Sequence, residues 1–130
     1  IQLPFLQRQL RDFTLVPMLV GEVREDILIP LIERVWTGDD TLLVVSSDLS
    51  RYNSFEAAQR LDGEASRAIE RLQPHALEAR HACGHVAIRA LLHLAGRRSL
   101  RARTLSLRNS GEIIGAPSSE VVGYGAFAFQ

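Results

Sequence analysis

Lysine is absent from the sequence: all fifteen basic residues are arginine, and fifteen Asp and Glu residues balance them. No net field is left to gather nucleic acid or an anionic membrane surface, so neither is expected as a partner. We read the arginine-only usage as compositional bias and not as mechanism. Only one cysteine is present, which excludes an internal disulfide, and the lone thiol fits a reducing cytoplasm. No apolar run approaches the ~20 residues that a membrane span requires. Initiator Met, charged leader and signal-like apolar stretch are all lacking at the start, "IQLPFLQRQL", so the chain reads as one entered midway. Repeats, linkers and low-complexity tracts are lacking too.

What remains is ordinary globular material. At 130 residues, 46% hydrophobic and 23% charged, the chain has the length and composition for one domain spanning 1–130 with one core. Leu3, Leu6 and Leu10 share one side of a short amphipathic helix, and "FTLVPMLVG" reads as a strand, with Pro17 placing it at an edge or bulge. From Arg24 to Trp36 the apolar residues Ile27, Leu28, Leu31, Ile32 and Val35 make one helical face, which Pro30 kinks or begins. Gly38-Asp39-Asp40 then turns the chain into a strand over Leu42 to Val45. A helix follows from Asn53, with Glu56 three residues on, and continues through Phe55, Ala58, Leu61, Ala65, Ile69 and Leu72 to Pro74.

A second helix over Gly84 to Ala95 is apolar nearly all round, which predicts burial on more than one side. Arg103 to Leu107 and Val121 to Phe129 read as strands around the polar loop "RNSGEIIGAPSSE". Strands alternating with helices predict an α/β fold: a layered α/β/α domain around a mainly parallel or mixed sheet, with room for an antiparallel pair at the end. Ligands of such sheets sit beyond the carboxyl ends of the strands. That rule singles out Ser46, Ser47 and Asp48.

Two readings compete for this cluster. It carries or orients a reactive group, or its side chains only cap the next turn. No G-x-S-x-G surrounds either serine, which disfavours a hydrolase nucleophile. In "HACGHVAIRALL", His81, Cys83 and His85 occupy alternate positions and could share a metal only in an extended segment. A helix beginning there breaks the alternation and leaves Cys83 as the functional candidate, because unpaired N–H groups at a helix start favour a thiolate. The competing reading of Cys83 is a small buried hydrophobe. His75 is read as a solvated loop residue and His93 as a helix-surface residue. "NSGEIIG" is read as a turn, and Tyr124 either lines the site or packs.

"LPFLQ", "VPMLVGEV", "VVSSDLSRY", "ACGHVAIRALL" and "VVGYGAFAF" occur here in the order they have in the Memo-like family, whose bacterial members are called AmmeMemoRadiSam system protein B. The chain resembles the carboxyl-terminal half of a longer family member over all 130 residues. The resemblance implies the fold of the class III extradiol dioxygenases, with a non-haem metal at the mouth of the sheet held by two histidines and a cysteine. The cysteine corresponds to Cys83; both histidines belong upstream of Ile1. Asp48 corresponds to an acidic residue lining that site, and Arg51 takes the position of a family histidine that matches the acid–base histidine of the dioxygenases. Soft thiolate with imidazole suits copper or iron in the complete protein, with no tight binding by this chain alone.

Two functions from different classes follow. One is a metal-binding, redox-capable relative of the dioxygenases with no substrate named by the sequence, a small anionic or aromatic molecule as its ligand, and Asp48 and Arg51 as the catalytic candidates. The other is a non-catalytic accessory or signalling module that takes an anionic or phosphopeptide partner in the same pocket, which the guanidinium of Arg51 favours because it clamps anions and makes a poor base. Self-association through an exposed sheet edge is expected in either case.

Overall fold

A computed structural model describes residues 1–115 and 120–130. Its elements in chain order are α1 (Leu3–Gln9), α2 (Glu25–Val35), β1 (Arg51–Asn53), α3 (Phe55–Glu70), a 3-10 turn (Pro74–Ala76), α4 (His85–Arg97), β2 (Ala102–Asn109), α5 (Ser110–Ile114) and β3 (Val121–Phe129). The four residues 116–119 of the "RNSGEIIGAPSSE" loop lie outside the described residues.

The helix α3 starts where Ser54 accepts the N–H of Ala57 at 3.3 Å, with Glu56 in the first turn beside the positive end of the helix dipole. The cap is Ser54, one residue beyond the expected Asn53. Ala58, Leu61, Ala65, Ala68 and Ile69 make its buried face, and it ends before Leu72, whose φ of 51° breaks the helix. As the all-round apolar pattern predicts, α4 is buried on two sides. Ile88 and Leu92 join Leu49, Ile69 and Leu77 in one core, while Ala90 and Leu94 join Leu28, Ile29 and Ile32 of α2 in a second. Pro30 neither begins α2 nor breaks it; the helix runs through it from Glu25.

The α/β class is observed, but the sheet departs from the expected direction. Its three strands, in the order β1-β3-β2, are all antiparallel neighbours. The register of β2 on β3 runs from Ala102↔Phe129 to Asn109↔Gly123, with a bulge between Thr104 and Ser106. Neither Phe13–Gly21 nor Leu42–Val45 is a strand. Both are apolar enough to be one. A strand exists only by its ladder, and among the described residues neither segment has a ladder partner. The expected parallel pairing is therefore absent from this sheet.

No helix among the described residues is long and apolar enough to cross a membrane.

Candidate functional site

Residues 41–49 approach in irregular extended form and join the sheet where the Leu49 N–H donates to the Gly123 carbonyl at 2.9 Å. This places Ser47 against the start of α4. The Ser47 hydroxyl donates to the Asp48 carbonyl at 2.7 Å and accepts the Gly84 N–H at 2.8 Å. Cys83 Sγ lies 3.4 Å from the same oxygen. A hydroxyl has one proton and two lone pairs, so with its proton on Asp48 it accepts from both Gly84 and the thiol. Ser47 is the hub of the cluster. A Cβ on Gly84 would come within 2.8 Å of the Ser47 Cβ and 2.9 Å of its hydroxyl, so only glycine permits this approach.

Cys83 is exposed, one residue ahead of Gly84, which caps the start of α4. It is not the buried hydrophobe of the competing reading. Asp48 and Arg51 are brought together in an ion pair of 2.9 Å, with both side chains partly exposed. Such a pair stabilises by about 1 kcal/mol at most. The Arg51 guanidinium also lies 5.8 Å from the ring centroid of Tyr52, whose φ of 57° is an unusual left-handed conformation for an aromatic residue.

The histidines do not join Cys83. His81 is buried, accepting the Glu78 N–H at 3.0 Å on Nδ1 and facing Glu64 at 3.3 Å with Nε2, so both ring nitrogens are committed. This contact with His81 is the largest cause holding the Glu64 carboxyl below its usual range. His85 opens α4, as the broken alternation requires. His75 is exposed as expected, but His93 is more than a surface residue. It is partly buried, its Nε2 lies 3.0 Å from Glu25, which also pairs with Arg89 at 2.6 Å, and its ring meets His75 edge to face at 5.6 Å. Among the described residues no group of three His, Cys, Asp or Glu side chains could hold a metal ion. Tyr124 is 41% exposed on β3.

Sequence reasoning missed Asp62. It is buried on α3 and accepts the Ser50 N–H at 3.0 Å, close under Gly123, while the Ser50 hydroxyl is buried with no partner among the described residues. Burial pushes the Asp62 carboxyl above its usual range, with the hydrogen bond from the Ser50 N–H acting the other way. The signal was present: Asp62 sits four residues after Ala58 and next to Leu61, a carboxylate on the apolar face of a helix. "NSGEIIG" is the short capped helix α5, with Asn109 accepting the Glu112 N–H and Gly115 in the left-handed region at φ 73°.

A cleft of about 690 Å³ opens beside this cluster, with Ser47 and Leu49 among its lining residues. Asp48, Arg51 and Cys83 do not line it.

Comparison with known proteins is consistent along the chain. A family model described as Memo-like protein matches residues 1–128. A MEMO1 family protein of Aeropyrum pernix is 34% identical over 138 residues, which are 97% of this chain and 49% of that protein. One from Methanosarcina acetivorans is 33% identical over 143 residues, covering all of this chain and 53% of that protein, and one from Archaeoglobus fulgidus is 28% identical over 142 residues with the same coverage. The chain spans about half the length of the curated relatives it matches.

Proposed function

The chain belongs to the Memo-like family, and from that premise we propose that it supplies one wall of a metal-binding, redox-capable pocket, with Cys83 as its metal ligand and Asp48 and Arg51 beside it. The observation that carries the reading is the exposed Cys83 thiol, which is directed by the Ser47 hydroxyl and the backbone at the start of α4. A structural thiol is normally buried; this one is held open to a ligand.

The donors present fit part of a metal site. Cys83 offers a soft thiolate, suited to copper or iron, whereas Asp48 is committed to Arg51 and His81 to Glu64 and Glu78. Further ligands must come from outside these residues. Bound there, the metal would supply one-electron or oxygen chemistry. Of the protein's own groups, Ser47 orients the thiol and Asp48 fixes the Arg51 guanidinium, which can donate hydrogen bonds to an anionic ligand but cannot accept a proton. The dioxygenase kinship that the sequence motifs imply makes catechol ring-opening the first activity to assay, and a reducing compartment such as the cytoplasm suits the free thiol.

The test is titration with copper or iron, read by the thiolate-to-metal absorption band and by protection of Cys83 from alkylation. Weak binding that Cys83→Ser abolishes is expected. Equal affinity in wild type and Cys83→Ser would remove the thiol from the site.

The second reading, a non-catalytic module taking an anionic partner, rests on the partial exposure of Arg51. Asp48 already answers that charge, so an incoming anion must displace a carboxylate, which makes this the weaker reading. Phosphate-containing ligands that bind wild type and Arg51→His equally well would eliminate it.

A further inference from the structure

The helix α3 carries a stripe of charge that the function proposed above leaves unused. Arg60, Glu64, Arg67 and Arg71 recur at helical spacing along one face. Glu64 is answered on both oxygens, by Arg60 at 3.2 Å and by His81 at 3.3 Å. Arg67 and Arg71 have no ion-pair partner among the described residues. Glu70, between them in sequence, instead accepts the Thr104 N–H at 3.1 Å. The helix dipole favours cations in a last turn, which accounts for these two arginines but not for what joins them. A third guanidinium, that of Arg80, is brought to the same place from another part of the chain, and His81 is what brings it. Its ring is 2% exposed and its Nδ1 accepts the Glu78 N–H, while its own N–H donates to the Glu78 carbonyl at 2.9 Å, closing the turn that carries Arg80. With Nδ1 an acceptor, Nε2 holds the ring proton and donates it to Glu64, which fastens the turn onto α3.

The result is a cleft of about 270 Å³ lined by Arg67, Arg71, Gln73 and Arg80, with the buried Ala68 and His81 beneath them. Ser47, Asp48, Arg51 and Cys83 do not line it. Arg80 also meets Glu78 at 3.3 Å, but both side chains are more than half exposed, so solvent weakens that pair and an incoming anion can share the guanidinium. Arg60, Arg67, Arg71 and Arg80 against Glu64 and Glu78 leave two positive charges unanswered here, in a chain whose net charge is zero. We propose that this cleft is a binding site for a phosphate group, with Arg67 and Arg71 as its principal partners and Arg80 and Gln73 adding donors. A phosphate monoester brings about two negative charges and three terminal oxygens, which matches the unanswered charge and gives each guanidinium fork an acceptor. A carboxylate, with one charge and two oxygens, would leave a guanidinium over. The volume is below the roughly 300–1,000 Å³ of sites for drug-sized ligands, which selects a compact anion. The inference depends neither on the metal reading nor on Arg51.

The experiment follows the arginine Nε–Hε signals of the chain by NMR while inorganic phosphate is titrated in, with sodium chloride at matched ionic strength as the control. It is run in the Arg51→His background, so that no anion held at Arg51 contributes. Saturable shifts of the Arg67, Arg71 and Arg80 signals that chloride does not produce are expected. Arg67→Gln and Arg71→Gln should each weaken phosphate binding at least about fivefold. Both positions are exposed and glutamine suits a helix, so neither substitution threatens the fold. A phosphoserine peptide separates the two sources of the group. Binding at least about tenfold tighter than that of inorganic phosphate, and lost on the same substitutions, assigns the cleft to a phosphorylated protein; a smaller difference assigns it to free phosphate or a small ester. Shifts absent with phosphate, or reproduced by chloride, would reduce the cleft to screened surface charge. Phosphate binding that survives joint replacement of Arg67 and Arg71 by Gln would place the anion elsewhere. Either result overturns the proposal, and neither bears on whether Cys83 binds metal.

Discussion

The first 49 residues and the last 81 are both rich in Leu, Val and Ile, yet they bury them differently. In α3 and α4 the apolar faces close on each other and on β2 and β3, leaving Ala65, Leu77, Leu92 and Ala95 nearly inaccessible. In the first 49 residues Phe5, Leu15, Val16 and Leu42 are at least half exposed, and Leu19 fully so; α2 packs on α4, and Leu49 enters the other core. Hydrophobicity alone did not bury them. What separates the regions is the presence of a complementary surface: a helix carries its own backbone hydrogen bonds wherever it packs, whereas an apolar extended segment needs another strand before it can leave water.

The contrast can be broken by substitutions, taken here from the largest expected effect to the smallest. In the packed half, Leu92→Ala removes a side chain that is 1% exposed and should cost about 2–5 kcal/mol, measured by urea unfolding. Gly123→Ala should rank next, at about 3 kcal/mol, because its new methyl would overlap the Asp62 carboxylate held beneath the sheet. A loss below about 1 kcal/mol for either would mean that the sheet and its helices are loosely joined. At the junction of the two regions, Gly84→Ala drives a methyl into Ser47 and should cost about 1–3 kcal/mol. It should also change the alkylation rate of native Cys83; an unchanged rate would show that Ser47 does not direct the thiol. In the first region, Leu19→Ser should alter stability by no more than about 0.5 kcal/mol. A larger loss would show that this segment is packed in solution.

Asp62 gives the same comparison a pH axis. Its folded carboxyl titrates above the unfolded value, so between the two the folded state binds more protons and stability falls as pH rises. Asp62→Asn can still accept the Ser50 N–H through its amide oxygen and cannot ionise. The stability of wild type relative to Asp62→Asn should therefore decline as pH is raised from about 4 and level off above the folded value. A relative stability that rises over this interval would mean that the hydrogen bond from the Ser50 N–H outweighs burial.

Local pattern made much of the fold legible. The spacing of Ala58, Leu61, Ala65 and Ile69 located α3, the apolar belt after Gly84 located α4 and its burial on two sides, and the alternation of apolar and small residues located β3. The family was legible from ordered motifs, and the start of a helix at Cys83 from the Gly84 that follows it. Less could be read of the cluster. Nothing in the spacing says that the Ser47 hydroxyl holds Cys83 and Gly84 together, that Asp48 is engaged by Arg51, or that His81 is spent on Glu64 and the Glu78 N–H.

What the sequence by itself determined is therefore whatever is satisfied within a few residues: the apolar faces of α3 and α4 and the alternation of β3. The tertiary structure alone decided the antiparallel order β1-β3-β2, the burial of Asp62, and the fate of Phe13–Gly21 and Leu42–Val45, which have the composition of strands but no ladder. The physical reason is the range of the hydrogen bond that closes each element. A helix returns its N–H to a carbonyl four residues back, so its existence is written locally; a strand returns its N–H to a residue that only the rest of the fold can bring alongside.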